Sequence, residues 1–157
     1  MSYTFFFKEF IKLRPFCLEI LKVLSNYYGI FLFTTETAEY TAMIMNFLDP
    51  LKKIFRGALT IKHCFKTYIG RFIKDLRIIS NKNLKDIIIV DCIEKKGVLP
   101  IENLIPILKW DQDSKDHELK YLARYLIAIH KCEDVRSMNT KQFKLKELMN
   151  KNPIIKN

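Results

Sequence analysis

"YGIFLFTTETAEY", residues 28–40, decides the fold class of this chain. Gly29 introduces a nearly unbroken apolar run that ends at Phe33 and gives way abruptly to Thr34-Thr35-Glu36-Thr37. A continuous apolar run bounded by turn signals predicts a fully buried strand. The hydroxyls and Glu36 after it predict a helix start. A buried strand opening onto a helix N-terminus is a unit of parallel α/β folds, and anions bind at such junctions. The threonine cluster therefore has two readings from its residues alone, an ordinary N-cap or an anion site.

Working outward, strand and helix signals alternate. "FIKLRPF", residues 10–16, predicts an extended segment and then a helix with Pro15 in its first turn. Cys17, Ile20, Leu21 and Leu24 recur with helical spacing, and Gly29 is expected to terminate that helix. Residues 37–48 form a second amphipathic pattern, closed by Asp49-Pro50, and a looser region with short strands follows around 57–69. "KDIIIVDC", residues 85–92, is a second strongly buried strand, and "LIPIL", residues 104–108, a short third one. Asp113-Ser114 is expected to begin a long helix reaching about His130, with a polar helix or tail after it. Strands alternating with helices argue for a parallel sheet with flanking helices.

Bulk properties narrow the class further. A chain of 157 residues with 49% hydrophobic and 13% aromatic content can bury one genuine core. The formal net charge of +10 is compatible with nucleic acid, anionic lipid or an acidic partner. The excess is mostly lysine scattered among Ile and Asn, without an arginine-rich stripe and interleaved aromatics, so nucleic acid is not expected as a partner. Cys17, Cys64, Cys92 and Cys132 form no C-x-x-C pair, and His63, His117 and His130 complete no zinc spacing. Reduced thiols in an intracellular compartment are the expectation. No apolar run reaches the length of a membrane span, and "MSYTFFFKEF", residues 1–10, lacks the pattern of a signal or transit peptide.

Seven motifs then occur in the order of one family: "KLRPF" (12–16), "FLFTTETAEY" (31–40), "IFRGALTIKHC" (54–64), "YIGRFIKDLRII" (68–79), "DIIIVDC" (86–92), "IENLIPILKWDQDSKDHEL" (101–119) and "EDVRS" (133–137). Together they resemble the NIF-type phosphatase domain of the haloacid dehalogenase superfamily. That family includes phosphatases of the RNA polymerase II C-terminal domain, the nuclear-envelope phosphatase dullard, and a receptor subunit of the mitochondrial inner-membrane translocase. The resemblance implies a haloacid dehalogenase-like (Rossmannoid) α/β fold. It divides the chain into an incomplete phosphatase homology domain at residues 1–137 and a polar C-terminal helix or tail at 138–157.

In such enzymes an Asp of a D-x-D-x-[TV] motif attacks the phosphoserine phosphorus and the second Asp acts as acid, then base. Positioning and charge neutralisation supply most of the remainder. By resemblance, Thr34 is the hydroxyl that hydrogen-bonds the phosphate, Lys74 of "IKDL" is the cation that neutralises it, and Asp91 supports Mg²⁺.

Two departures qualify that picture. No D-x-D motif precedes "KLRPF"; "SYTFFFKEF" (2–10) resembles the flap strands of the family's insertion, and Glu9 is the only acidic residue before Arg14. As written, the chain is thus expected to lack the nucleophile, the general acid and the central strand that carries them. Cys92 stands where active members have an Asn or Asp that ligates Mg²⁺, and "IEKKG" (93–97) replaces the family's Ser-Pro. A thiol is a poor donor for a hard cation, so weak Mg²⁺ binding is implied.

The leading expectation is a phosphatase-derived, catalytically inactive or incomplete domain that binds phosphorylated or acidic protein segments. One alternative is a Mg²⁺-dependent serine/threonine phosphatase whose nucleophile segment is encoded upstream. The other is a translocase receptor-type subunit. The compartment is expected to be intracellular, nuclear or cytoplasmic in the first instance, with mitochondria as the alternative. Two geometric expectations follow: residues 28–33 and 87–91 lie on adjacent or near-adjacent core strands, and Thr34, Lys74 and Asp91 converge at the carboxyl edge of the sheet.

Overall fold

A computed structural model describes residues 11–92, 97–145 and 147. The flap reading of residues 2–10 and the end of the C-terminal tail lie outside the described residues.

The first helix, α1, spans Cys17–Leu24. It stops well before Gly29, at Ser25, where the Asn26 amide and the Ser25 hydroxyl donate to the freed carbonyls of Lys22 and Val23. Gly29 is therefore the entry to the strand rather than the helix stop. That strand, β1, covers Ile30–Phe33. Thr37 caps the next helix, α2 (Ala38–Leu48), by accepting from the Tyr40 amide at 3.3 Å.

After α2 come the short strands expected there, the first of them a second strand of the same sheet as β1. β2 (Phe55–Leu59) pairs in parallel with β1, with a register shift that leaves Arg56 unopposed. Asp49 makes this reversal possible. Its buried carboxylate accepts from the amides of Lys53, Ile54 and Phe55 at 2.9, 2.7 and 3.0 Å. Replacing it with alanine strands three amides at once. Asp49→Ala is expected to lower the melting temperature clearly, and Asp49→Asn, which keeps an acceptor oxygen, to recover part of the loss; circular dichroism melts compare the three.

A hairpin follows, made of β3 (Phe65–Lys66) and β4 (Phe72–Asp75), with β6 (Val98–Leu99) parallel to β4 on its other side. The third parallel unit joins β5 (Ile89–Cys92) to β7 (Leu104–Ile107). Helices α3 (Glu118–Ile129) and α4 (Val135–Gln142) follow. α3 begins later than Asp113-Ser114. The carboxylates of Asp111, Asp113 and Asp116 each accept an amide two residues on, which makes successive turns of a stretch that would otherwise enter the helix.

The β5–β7 pair is buried on both faces. Ile89 and Leu104 face one cluster with Leu76, Val98, Ile101 and Leu145. Ile105, 1% exposed, faces the other with Leu24 and Leu126, joined by Ile88 and Val90. Alternation across a two-sided core is what a parallel strand needs. Tyr28 and Ile30 pack into the second cluster as well, and the Tyr28 hydroxyl donates to the Leu126 carbonyl at 2.6 Å. β1 and β5 thus share a core. Yet β1 pairs only with β2 and β5 only with β7 among the described residues. The expectation of a fully buried β1 is corrected here: Phe31 is 59% exposed, its side chain uncovered by any described residue on that face. β5 too is only partly covered beyond Ile89.

Candidate functional site

The carboxyl ends of β1 and β5 are tied together by a residue from the hairpin. Lys74, on β4, reaches Asp91 at the end of β5 with a 2.8 Å hydrogen bond from Nζ to Oδ2, and each side chain is 13% exposed. The same ammonium lies 5.8 Å from the ring centroid of Phe33, the last residue of β1. Thr34 follows at once; its amide donates to the Leu59 carbonyl at 2.9 Å, which extends the β1–β2 ladder. The three residues therefore lie around one corner of the sheet edge.

Thr34 and Lys74 have chemical capacity to spare. The Thr34 hydroxyl accepts from the Glu36 amide at 3.2 Å, so its own proton remains available to an anion. An ammonium has three donors, and the hydrogen bond to Asp91 uses one. Cys64 holds the corner from the hairpin side, its thiol donating to the carbonyls of Thr34 and Thr60 at 3.8 and 3.7 Å. Burial pushes the Cys64 thiol's pKa up, and the nearby Lys74 charge draws it partly back. The corner thus brings together a carboxylate-paired ammonium, a hydroxyl and a thiol at the carboxyl ends of two strands.

The same corner is a poor Mg²⁺ site by its own residues. Asp91 already accepts from Lys74 through Oδ2 and from the Cys92 amide through Oδ1 at 2.8 Å. Beside it stands the Cys92 thiol, a soft donor. Mg²⁺ needs several hard oxygens in near-octahedral order, and among the described residues no group of three or more His, Cys, Asp or Glu side chains is gathered for a metal. Asp111 and Asp113, spaced as D-x-D, are no substitute for the missing pair, because both carboxylates serve the turns before α3.

A second feature was not singled out from sequence. Arg14 grips Asp116 with two bonds, Nε to Oδ1 at 2.8 Å and Nη2 to Oδ2 at 2.7 Å, and its Nη1 donates to the Leu108 carbonyl at 2.7 Å. The side chains are 10% and 17% exposed. The clamp joins the lead into α1 with the segment that leaves β7, and Cys92 lies within electrostatic reach of the guanidinium. Both ends belong to quoted motifs, but they lie 102 residues apart and nothing local pairs them.

With this geometry in place, comparison with known proteins is direct. The family model of the NLI interacting factor-like phosphatases (NIF) matches residues 4–136. The chain belongs to the NIF phosphatase family. CTD small phosphatase-like protein 2 of Dictyostelium discoideum is 32% identical over 144 residues, which is 91% of this chain and 25% of the relative. CTD nuclear envelope phosphatase 1 of Xenopus laevis is 30% identical over 82% of this chain and 52% of its own length. Mitochondrial import inner membrane translocase subunit TIM50 of Candida glabrata is 35% identical over 78% of this chain and 25% of the relative. The NIF chain described here thus spans between about a quarter and a half of these relatives. Among solved structures, a fission yeast RNA polymerase II CTD phosphatase bound to beryllium fluoride matches with a TM-score of 0.54 at 18% identity, covering 87% of this chain and 40% of that one. The fold is accordingly the haloacid dehalogenase type, with parallel strands and flanking helices.

Proposed function

We propose that this NIF-family chain binds phosphorylated or acidic protein segments, with Thr34 donating to a phosphoryl oxygen and Lys74 neutralising its charge. The observation that carries the reading is the position of Lys74 Nζ, between Asp91 and the Phe33–Thr34 end of β1. The chain carries no D-x-D-x-[TV] sequence, and Cys92 stands in place of a hard-oxygen ligand, which favours binding over turnover by these residues alone. An intracellular compartment accords with four reduced cysteines.

Titration calorimetry with a phosphoserine peptide and its unphosphorylated twin tests this. Lys74→Ala is expected to weaken the phosphopeptide about 10- to 100-fold, the worth of a charge-assisted hydrogen bond. Thr34→Val should cost up to about tenfold. Were Lys74 merely a partner for Asp91, the double variant Lys74→Ala/Asp91→Asn would restore binding. Restoration of that kind, or equal affinity for both peptides, sinks the proposal.

A second reading, a serine/threonine phosphatase completed by an upstream D-x-D strand, draws support from the sheet. Among the described residues β1 and β5 each pair on one side only, which leaves backbone groups on both for another strand.

A further inference from the structure

The positive charge of this chain is not distributed evenly. Between Asp49 and Asp75 stand seven Lys or Arg residues and not one Asp or Glu. The β3–β4 hairpin lies inside this stretch, and its tip is apolar. Tyr68 is fully exposed, Ile69 and Phe65 are exposed too, and Lys66 and Arg71 flank the turn along the chain.

Turn geometry does not require those tip residues. The turn is closed by Gly70 N–H to the Thr67 carbonyl at 2.9 Å, by Thr67 N–H to the Arg71 carbonyl at 2.8 Å, and by Arg71 N–H to the Thr67 hydroxyl at 3.0 Å. Gly70, at φ 79°, supplies the one left-handed residue. Positions between Thr67 and Gly70 would accept Asn, Asp or Ser at no conformational cost. Tyr and Ile there expose apolar area to water without serving the fold. Because the turn is tied at three points, both side chains are presented with little backbone entropy left to lose on contact.

The base of the hairpin is the candidate site. Phe65 pairs with Ile73, the residue before Lys74, and Cys64 is the thiol that holds the Thr34 carbonyl. From Arg71 to Lys74 is three residues of strand, roughly 10 Å.

We propose that the β3–β4 hairpin is a docking finger for an acidic protein segment that carries an apolar residue, placed three or four residues from the group held at Thr34 and Lys74. Charge complementarity selects the occupant: a carboxylate-rich segment meets a hairpin that carries Lys66 and Arg71 and no carboxylate between Asp49 and Asp75, and Tyr68 with Ile69 takes the apolar side chain. The phosphoryl contact rests on the function proposed above; the docking contact does not.

Fluorescence anisotropy tests it with the full chain and a synthetic Asp/Glu-rich peptide holding one Phe three residues from a Ser, in phosphorylated and unphosphorylated forms, and again with the Phe replaced by Gly. Tyr68→Ser/Ile69→Ser is expected to weaken both Phe peptides about tenfold and to leave the Gly peptides unchanged. Lys66→Glu/Arg71→Glu should weaken all four and flatten their salt dependence. Lys74→Ala should remove only the increment due to phosphorylation. Weakening by the hairpin variants without any phosphorylation increment would retain the finger and discard the phosphate site. Unchanged binding in both hairpin variants overturns the finger. So does binding to phosphatidylserine vesicles with none to any peptide, which would make the patch a lipid surface.

Discussion

The 157-residue chain, given p-nitrophenyl phosphate or a phosphoserine peptide with Mg²⁺ between about pH 5 and 8, is expected to release no phosphate above background. In the roles proposed for them, Thr34 and Lys74 orient and neutralise a phosphoryl group, and orientation accelerates nothing without an attacking group. The carboxylates that the chain does place near one another, Asp111, Asp113 and Asp116, are committed to turns and to Arg14. Fusing a D-x-D-x-[TV] segment from a relative ahead of Arg14 is expected to restore little by itself. Combined with Cys92→Asn it should exceed the fusion alone by about 100-fold, because metal donors and nucleophile act as a unit. Initial rates across a Mg²⁺ titration measure both effects. Robust turnover by the unmodified chain would overturn the binding-module reading. Equal rescue with and without Cys92→Asn would clear the thiol and leave the D-x-D-x-[TV] segment as the sole requirement for turnover.

Arg14→Ala is expected to have the largest effect on stability, about 2 kcal/mol, between the worth of a charged hydrogen bond and that of breaking a fully buried pair. For a domain of this size that corresponds to a melting temperature lower by about 4–8 °C. Arg14→Lys should recover only part, since an ammonium cannot match both carboxylate oxygens in a planar fork. The deficit should also depend on pH in a defined direction. The hydrogen bond from Arg14 holds the Asp116 carboxyl below the usual carboxylate range, with the Glu118 amide adding to it. A lowered folded-state value contributes stability above the unfolded value of about 3.9 and loses it as pH falls through the folded one. Wild type and Arg14→Ala should therefore converge in melting temperature below about pH 4, and a constant gap down to acid pH would mean that packing, not charge, holds the joint. Asp134, held at about 2 by Arg136, titrates in the same direction but is untouched by this substitution.

Much of the architecture was legible locally. α1, β1, α2 and β5 follow from apolar period, a capping threonine and bounded apolar runs, signals that neighbours along the chain carry. The errors came where side chains far apart override such signals. Short strands were legible around 57–69, but not the parallel pairing of β2 with β1, which follows a reversal held by the Asp49 carboxylate. The start of α3 was displaced by carboxylates that close turns instead of capping a helix. Of the candidate site, residue types and motif order were readable, including the thiol at Cys92. That Lys74 bonds Asp91 was not, nor that Arg14 bonds Asp116, because ion pairs over such separations leave no local pattern.

By itself, then, the sequence determined the class of fold, the family and the absence of a D-x-D-x-[TV] motif from these residues, all of which reside in local pattern and motif order. Tertiary structure alone decided that β1 is half open, that the cation of the site is shared between two strand ends, and that Tyr68 and Ile69 stand exposed at the turn of the β3–β4 hairpin. Solvent exposure and charge pairing are properties of which surfaces meet, and a linear chain does not state them until it has closed on itself.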